Sequence, residues 1–186
     1  MPVSIMPHAP ARPAPGAVPD LAAIRDGNAD ALAACYRAYA PALLALAYKL
    51  TASRADAEDV VHDVFVGLPE ALAQYDERGQ FSGWLARIAT RVALARQRHG
   101  SRFEADDAAL ETVAVPADTG DVVVADRVHR ALASLSPALR HVFVLRVVLD
   151  HSHAEIAALL GITPNASEVR LHRAVQQLRG LLGNLA

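Results

Sequence analysis

Apolar residues recur at helical spacing along most of this chain. Val60, Val61, Val64, Phe65 and Leu68 form one stripe, and Leu171, Val175, Leu178 and Leu182 form another. The start and stop signals fit the same reading. Ser53-Arg-Ala-Asp56 predicts a capped start ahead of the first stripe. Ser152 is a good N-cap, Glu155 completes a capping box ahead of Ile156, Leu159 and Leu160, and Gly161 supplies a left-handed stop. Thr163-Pro164 then restarts the chain as N-cap and first helical residue, with Arg170 and Arg173 off the apolar stripe of the new helix. Two short helices joined by a tight turn, the second basic on one face, predict a helix-turn-helix whose second helix can enter a DNA major groove.

The rest of the chain reads as helix with breaks. Residues 20–50 predict two or three helices interrupted near Gly27-Asn28 and Pro41, and Pro69 predicts a kink or restart. Tyr75 to Gly79 reads as a polar turn, followed by a helix from about Ser82 to Arg98. Residues 127–149 predict two helices split at Ser136-Pro137. Val122-Val123-Val124 is the one strand-like run, and three residues do not make a sheet. The expected fold is all-α: two small helical domains joined by a flexible acidic linker, with a carboxy-terminal helix-turn-helix. The boundaries are a Pro-rich disordered tail at 1–19, a first domain at 20–102, a linker at 103–125 and a second domain at 126–186.

Composition narrows the class. At 186 residues and 53% apolar content the chain can bury ample core. No uninterrupted apolar run approaches the roughly 18 residues of a membrane span. The tail holds six prolines and lacks the basic-then-apolar order of a secretory signal. A lone Cys35 excludes an internal disulfide and a cysteine-based zinc site, which suits a cytoplasmic protein.

The formal net charge of −2 hides segregation. Residues 84–102 carry five arginines and no acid, and residues 103–126 carry seven acids and no basic residue. Residues 127–186 carry seven arginines against three acids, a local net of +4. Two basic surfaces separated by an acidic spacer point to a nucleic-acid partner. The helix from Asp56 has an acidic outer face of Asp56, Glu58, Asp59 and Asp63. Charge at a helix N-terminus accounts for the first two or three of these, whereas Asp63, two turns in, is better explained by a basic partner.

In their order these features resemble an extracytoplasmic-function sigma factor, the smallest class of the bacterial sigma-70 family. Asp56-Ala-Glu-Asp-Val-Val-His-Asp-Val-Phe65 is similar to the family's acidic helix, which docks on core RNA polymerase. Phe81-Ser-Gly-Trp-Leu-Ala-Arg-Ile-Ala89 is similar to the segment that melts and reads the −10 element. Glu155 to Gly161 and Arg170-Leu-His-Arg-Ala174 are similar to the domain that binds the −35 element. The resemblance covers roughly residues 20–182.

It implies polymerase binding by Asp56, Asp59, Val60, Asp63 and Phe65. It implies −10 contacts by Phe81, Trp84, Arg87, Arg91, Arg96 and Arg98, where aromatic surfaces beside cations suit unstacked bases. It implies −35 contacts by Asn165, Glu168, Arg170, His172 and Arg173. The implied partners are core polymerase and promoter DNA, with an anti-sigma factor as a candidate third; no cofactor and no membrane insertion are expected.

Four places depart from the family pattern: His62-Asp63 stands where Gln-Glu is usual, Thr90-Arg91 where Arg-Asn is usual, Ser167 at a usually apolar position and Glu168 at a usually basic one. An acid near phosphate repels, yet it can accept from a cytosine amino group. These departures support an alternative, a sigma-like regulator that titrates an anti-sigma factor and no longer initiates. A plain helix-turn-helix repressor would need no acidic helix at 56–65 and would normally dimerise on a palindrome. Nothing supports an enzyme: His151 and His153 lack cysteines or paired carboxylates for a metal, and the scattered histidines form no catalytic constellation.

Overall fold

The structure, a computed structural model, describes residues 19–76, 80–100 and 121–183. The tail at 1–18, most of the expected linker (101–120) and residues 77–79 of the polar turn lie outside the described residues. Within the described residues the secondary structure is helical and no strand is present. Packing divides the chain at Arg98/His99 into two units.

The amino-terminal unit contains α1 (Leu21–Arg25), α2 (Ala29–Thr51), α3 (Arg54–Val66), α4 (Leu68–Ala71) with a 3₁₀ turn at Leu72–Gln74, and α5 (Phe81–Gly100). Short polar residues start three of them. Asp20, Asn28 and Ser53 accept from the backbone N–H of Ala23, Ala31 and Asp56 at 2.9, 3.0 and 3.2 Å. α3 ends at Gly67, and α4 restarts with Pro69 in its first turn, where a missing N–H costs nothing.

Pro41 does not break α2, contrary to the expectation from sequence. It removes one internal hydrogen bond, at a cost of about 3 kcal/mol. Pro41 and Arg37, whose carbonyl loses its donor, both sit on the exposed side. The opposite side buries Cys35, Leu43, Leu46, Ala47 and Leu50 in one continuous stripe, and α2 makes the unit's main packing on α3. At about 1.5–3 kcal/mol per large apolar side chain, that burial outweighs the lost bond. By length and composition α2 could cross a bilayer, but these apolar residues are core and the helix carries Asp30, Arg37 and Lys49. Burial also pushes the Cys35 thiol up to about 11, so it is a packing residue.

The carboxy-terminal unit contains α6 (Asp121–Ala133), α7 (Pro137–Phe143), which continues as a wider π turn at Val144–Val148, α8 (His153–Leu160) and α9 (Pro164–Gly183). α6 begins inside the expected linker, and the three valines at 122–124 are helical. Arg140 is buried between α6 and α7 and donates to the Leu135 carbonyl at 3.3 Å, closing the break at Ser136-Pro137. The π turn closes with Leu149 N–H on Val144 O at 3.1 Å, and Asp150 reverses the chain in the left-handed region (φ 54°).

Two apolar clusters hold the unit together. Ala131, Leu132 and Leu135 meet Ala174 and Leu178, while Val142, Leu145 and Ile156 are joined by Leu171. α9 therefore spans both clusters. The stripe read from sequence stops at Leu178, because Leu182 is exposed.

Candidate nucleic-acid interface

α5 turns Phe81, Leu85, Ala89, Thr90, Ala93 and Leu94 inward and leaves Arg87 and Arg91 exposed. Phe81 is only 5% exposed. Its ring stands edge-on to Tyr39 at 5.2 Å and to Tyr75 at 5.7 Å, and Trp84 lies 4.6 Å from Tyr75. Phe81, expected as a base contact, is thus packed among Tyr39, Tyr75 and Trp84 with little of its surface open.

Trp84 is half-buried, and its free part lines a groove of about 410 Å³. One wall is Gly67, Glu70, Ala71 and Gln74; the other is Trp84, Ile88 and Arg91. A second groove lies across Trp84, where Tyr75, Asp76 and Gln80 meet Arg87. Trp84 and Gln74 thus form a ridge between two concavities, each with one exposed arginine. An aromatic face, hydrogen-bonding side chains and a cation are the components that hold unstacked bases. Sequence reading missed Glu70 and Gln74, although their four-residue spacing after Pro69 places them on one face. Ile88 lines the groove beside Arg91.

Arg96 is placed differently. Its guanidinium reaches back to α3, with Nη1 on Asp59 Oδ2 at 2.9 Å and Nη2 on Asp63 Oδ2 at 2.7 Å. The hydrogen bond to Asp63, then that to Asp59, hold its pKa above the ordinary value. Asp63 thus has one basic partner within its own unit, and the Asp59 and Asp63 side chains stay 61% and 40% exposed beside it. Asp56 remains exposed, and Glu58 pairs with Arg54 at 2.8 Å. Val60 and Phe65 are buried; Phe65 packs on Tyr36 at 4.8 Å between ring centres, so both serve the core beneath the acidic face. The side chain of Arg98 lies outside the described residues.

The helix-turn-helix forms as its local chemistry dictates. Glu155 accepts from Ser152 N–H at 2.8 Å while Ser152 Oγ accepts from Glu155 N–H at 3.2 Å, a complete capping box. Hydrogen bonds from the Ser152 hydroxyl and then its backbone hold the Glu155 carboxyl below the usual range. Gly161 takes φ 68°, and Thr163 Oγ1 accepts from Ala166 N–H at 3.1 Å to start α9.

Ser167 has no exposed surface and hydrogen-bonds His153 Nδ1 at 2.9 Å. The polar residue at a usually apolar position is thus satisfied, and the bond ties the start of α8 to α9. Opposite Ser167, Ala174 and Leu178, the exposed face carries Asn165, Glu168, Val169, His172 and Arg173. Arg170 is half-buried on the flank of that face, three residues from Arg173. Among the described residues no carboxylate pairs with either arginine.

Comparison with known proteins agrees with this division. Residues 35–103 match the family described as Sigma-70 region 2, and residues 125–178 match Sigma-70, region 4. The chain is 34% identical over 165 residues to RNA polymerase sigma factor CarQ of Myxococcus xanthus, covering 87% of this chain and 94% of CarQ. It is 32% identical over 153 residues to ECF RNA polymerase sigma factor SigE of Mycolicibacterium smegmatis, covering 78% of this chain and 59% of SigE. Among solved structures it is similar to the sigma factor RpoE of Bartonella quintana, captured with the anti-sigma factor NepR. The TM-score is 0.58 at 25% identity, over 83% of this chain and 98% of RpoE. The chain belongs to the extracytoplasmic-function class of the sigma-70 family and is an RNA polymerase sigma factor, the subunit that directs promoter-specific transcription initiation.

Proposed function

We propose that the two units divide promoter recognition between them, duplex reading in α9 and strand capture in α5. α9 offers a convex helix face with unpaired donors, which suits the major groove. Arg173, which is exposed, is the main contact, with Asn165, Glu168, His172 and flanking Arg170 around it. α5 offers concave sites beside an aromatic ridge, which suit bases that have left the stack. There Trp84, Arg87 and Arg91 hold the −10 strand. Arg91 stands where the family's asparagine would be; it keeps hydrogen-bond donors and adds charge, so −10 preference shifts and binding persists. The acidic face of α3, chiefly Asp56, Asp59 and Asp63, docks on core polymerase, and the protein acts with that enzyme in the cytoplasm. As with RpoE, whose structure contains the anti-sigma factor NepR, an anti-sigma factor is a third partner.

The observation that carries this reading is the ridge of Trp84 and Gln74 with an exposed arginine on either side. Transcription with purified core polymerase on a promoter library tests it. Enrichment of sequences with conserved −35 and −10 elements is expected. If no promoter is opened while the chain still binds core or an anti-sigma factor, the non-initiating regulator is the better reading.

A further inference from the structure

Val169 is 43% exposed and sits amid polar residues on α9. Asn165 and Arg173 lie one turn before and after it, and His172 is three residues on, so all three are its neighbours on the helix surface. It lies across the helix from buried Ser167, Ala174 and Leu178, near the middle of the outward face. It also belongs to the first half of the helix, the half of a recognition helix that contacts base edges. A β-branched residue lowers helix propensity at an exposed position, where a polar or alanine side chain would serve the helix better.

The chemistry of the major groove limits what an apolar side chain can recognise there. Base edges display donors and acceptors, which valine cannot match, and one apolar group, the C5-methyl of thymine. We propose that Val169 is a specificity-determining residue that selects a thymine in the −35 element by contact with its C5-methyl group. The polar neighbours hold hydrogen-bonding bases and phosphates on either side of that contact. The proposal rests on the reading of α9 as the duplex-reading helix.

Holoenzyme reconstituted from this chain and core polymerase first selects −35 sequences from a randomised library. Each thymine of the selected element is then replaced singly by deoxyuridine, which removes the methyl group and nothing else. Binding is read by competition with the unmodified duplex. For the unaltered chain, one position is expected to lose about fourfold in affinity, the weight of one methyl group. For Val169→Ala, whose side chain stops at Cβ, the same substitution is expected to cost clearly less, and library selection weakens its preference for thymine at that position. Alanine is the better helix former at this exposed site, and unchanged circular dichroism verifies that the variant folds.

Two results overturn the proposal: an element is selected in which every deoxyuridine is neutral, or the same thymine responds equally in both proteins. If no upstream element is selected at all, the reading of α9 as the duplex-reading helix fails, and this proposal fails with it.

Discussion

The arginines of α5 and of α9 look alike in sequence, yet the structure treats them differently. On α9, Arg170 and Arg173 have no carboxylate partner among the described residues and flank a convex face. On α5, Arg96 is held by Asp59 and Asp63, while Arg87 and Arg91, among the described side chains, stand exposed beside the grooves. Local charge therefore overstates the basic surface of the amino-terminal unit. In the carboxy-terminal unit Arg140 is buried and Arg146 pairs with Asp150 at 2.9 Å, so the count holds there for α9 rather than for the whole unit. A run without acids is not an uncompensated run when a neighbouring helix supplies the acids.

The largest effect that separates the two helices is expected on duplex binding. Arg173→Ala should weaken −35 binding by about 1–3 kcal/mol if the side chain reads a base. Arg170→Ala, from a half-buried flank, should cost less. Footprinting of both variants checks the ranking; equal or reversed losses would mean that the face of α9 is misassigned.

A second contrast concerns how each helix is held. His153→Ala removes the partner of a buried hydroxyl and should lower stability by about 1–3 kcal/mol. Replacing both partners, with His153→Leu and Ser167→Val, should restore much of that loss. Denaturant unfolding of the single and double variants measures the coupling; strictly additive losses would show that the 2.9 Å contact has no energetic weight.

Smaller still is the Arg96 cluster. Exposed ion pairs contribute about 0.2–1 kcal/mol each, less in salt. Arg96→Ala, which removes two such pairs, should therefore destabilise the protein by no more than about 2 kcal/mol, and the deficit should shrink as salt is raised. Arg87→Ala should leave stability unchanged. A large, salt-independent loss at Arg96 would make it a core residue instead.

The least effect comes from pH. The Glu155 carboxyl is held below the usual range in the folded state, so its contribution is present above the unfolded carboxylate range and is lost as pH falls through the folded value. The Ser152 amide proton should lose exchange protection on acidification, whereas in Glu155→Gln its protection should be flat across that window.

Sequence carried the helix-turn-helix almost completely, because its determinants are neighbours: Ser152 with Glu155, Gly161, and Thr163 with Pro164. The capped start of α3 and the restart at Pro69 were legible for the same reason. What escaped was tertiary. Asp59 and Asp63 stand 37 and 33 residues from Arg96, and no local pattern records their pairing. The burial of Phe81 depends on Tyr39 and Tyr75, which belong to other segments. Pro41 was misread because a local penalty was weighed without the packing of α2 on α3 that exceeds it.

The division between duplex reading and strand capture is tested most directly by permanganate footprinting of holoenzyme carrying Arg87→Ala and Arg91→Ala on a selected promoter. The expected result is loss of reactive thymines near the start site, with core binding and −35 protection retained. Thymines that remain as reactive as with the unaltered chain would contradict the account and place melting away from the α5 grooves.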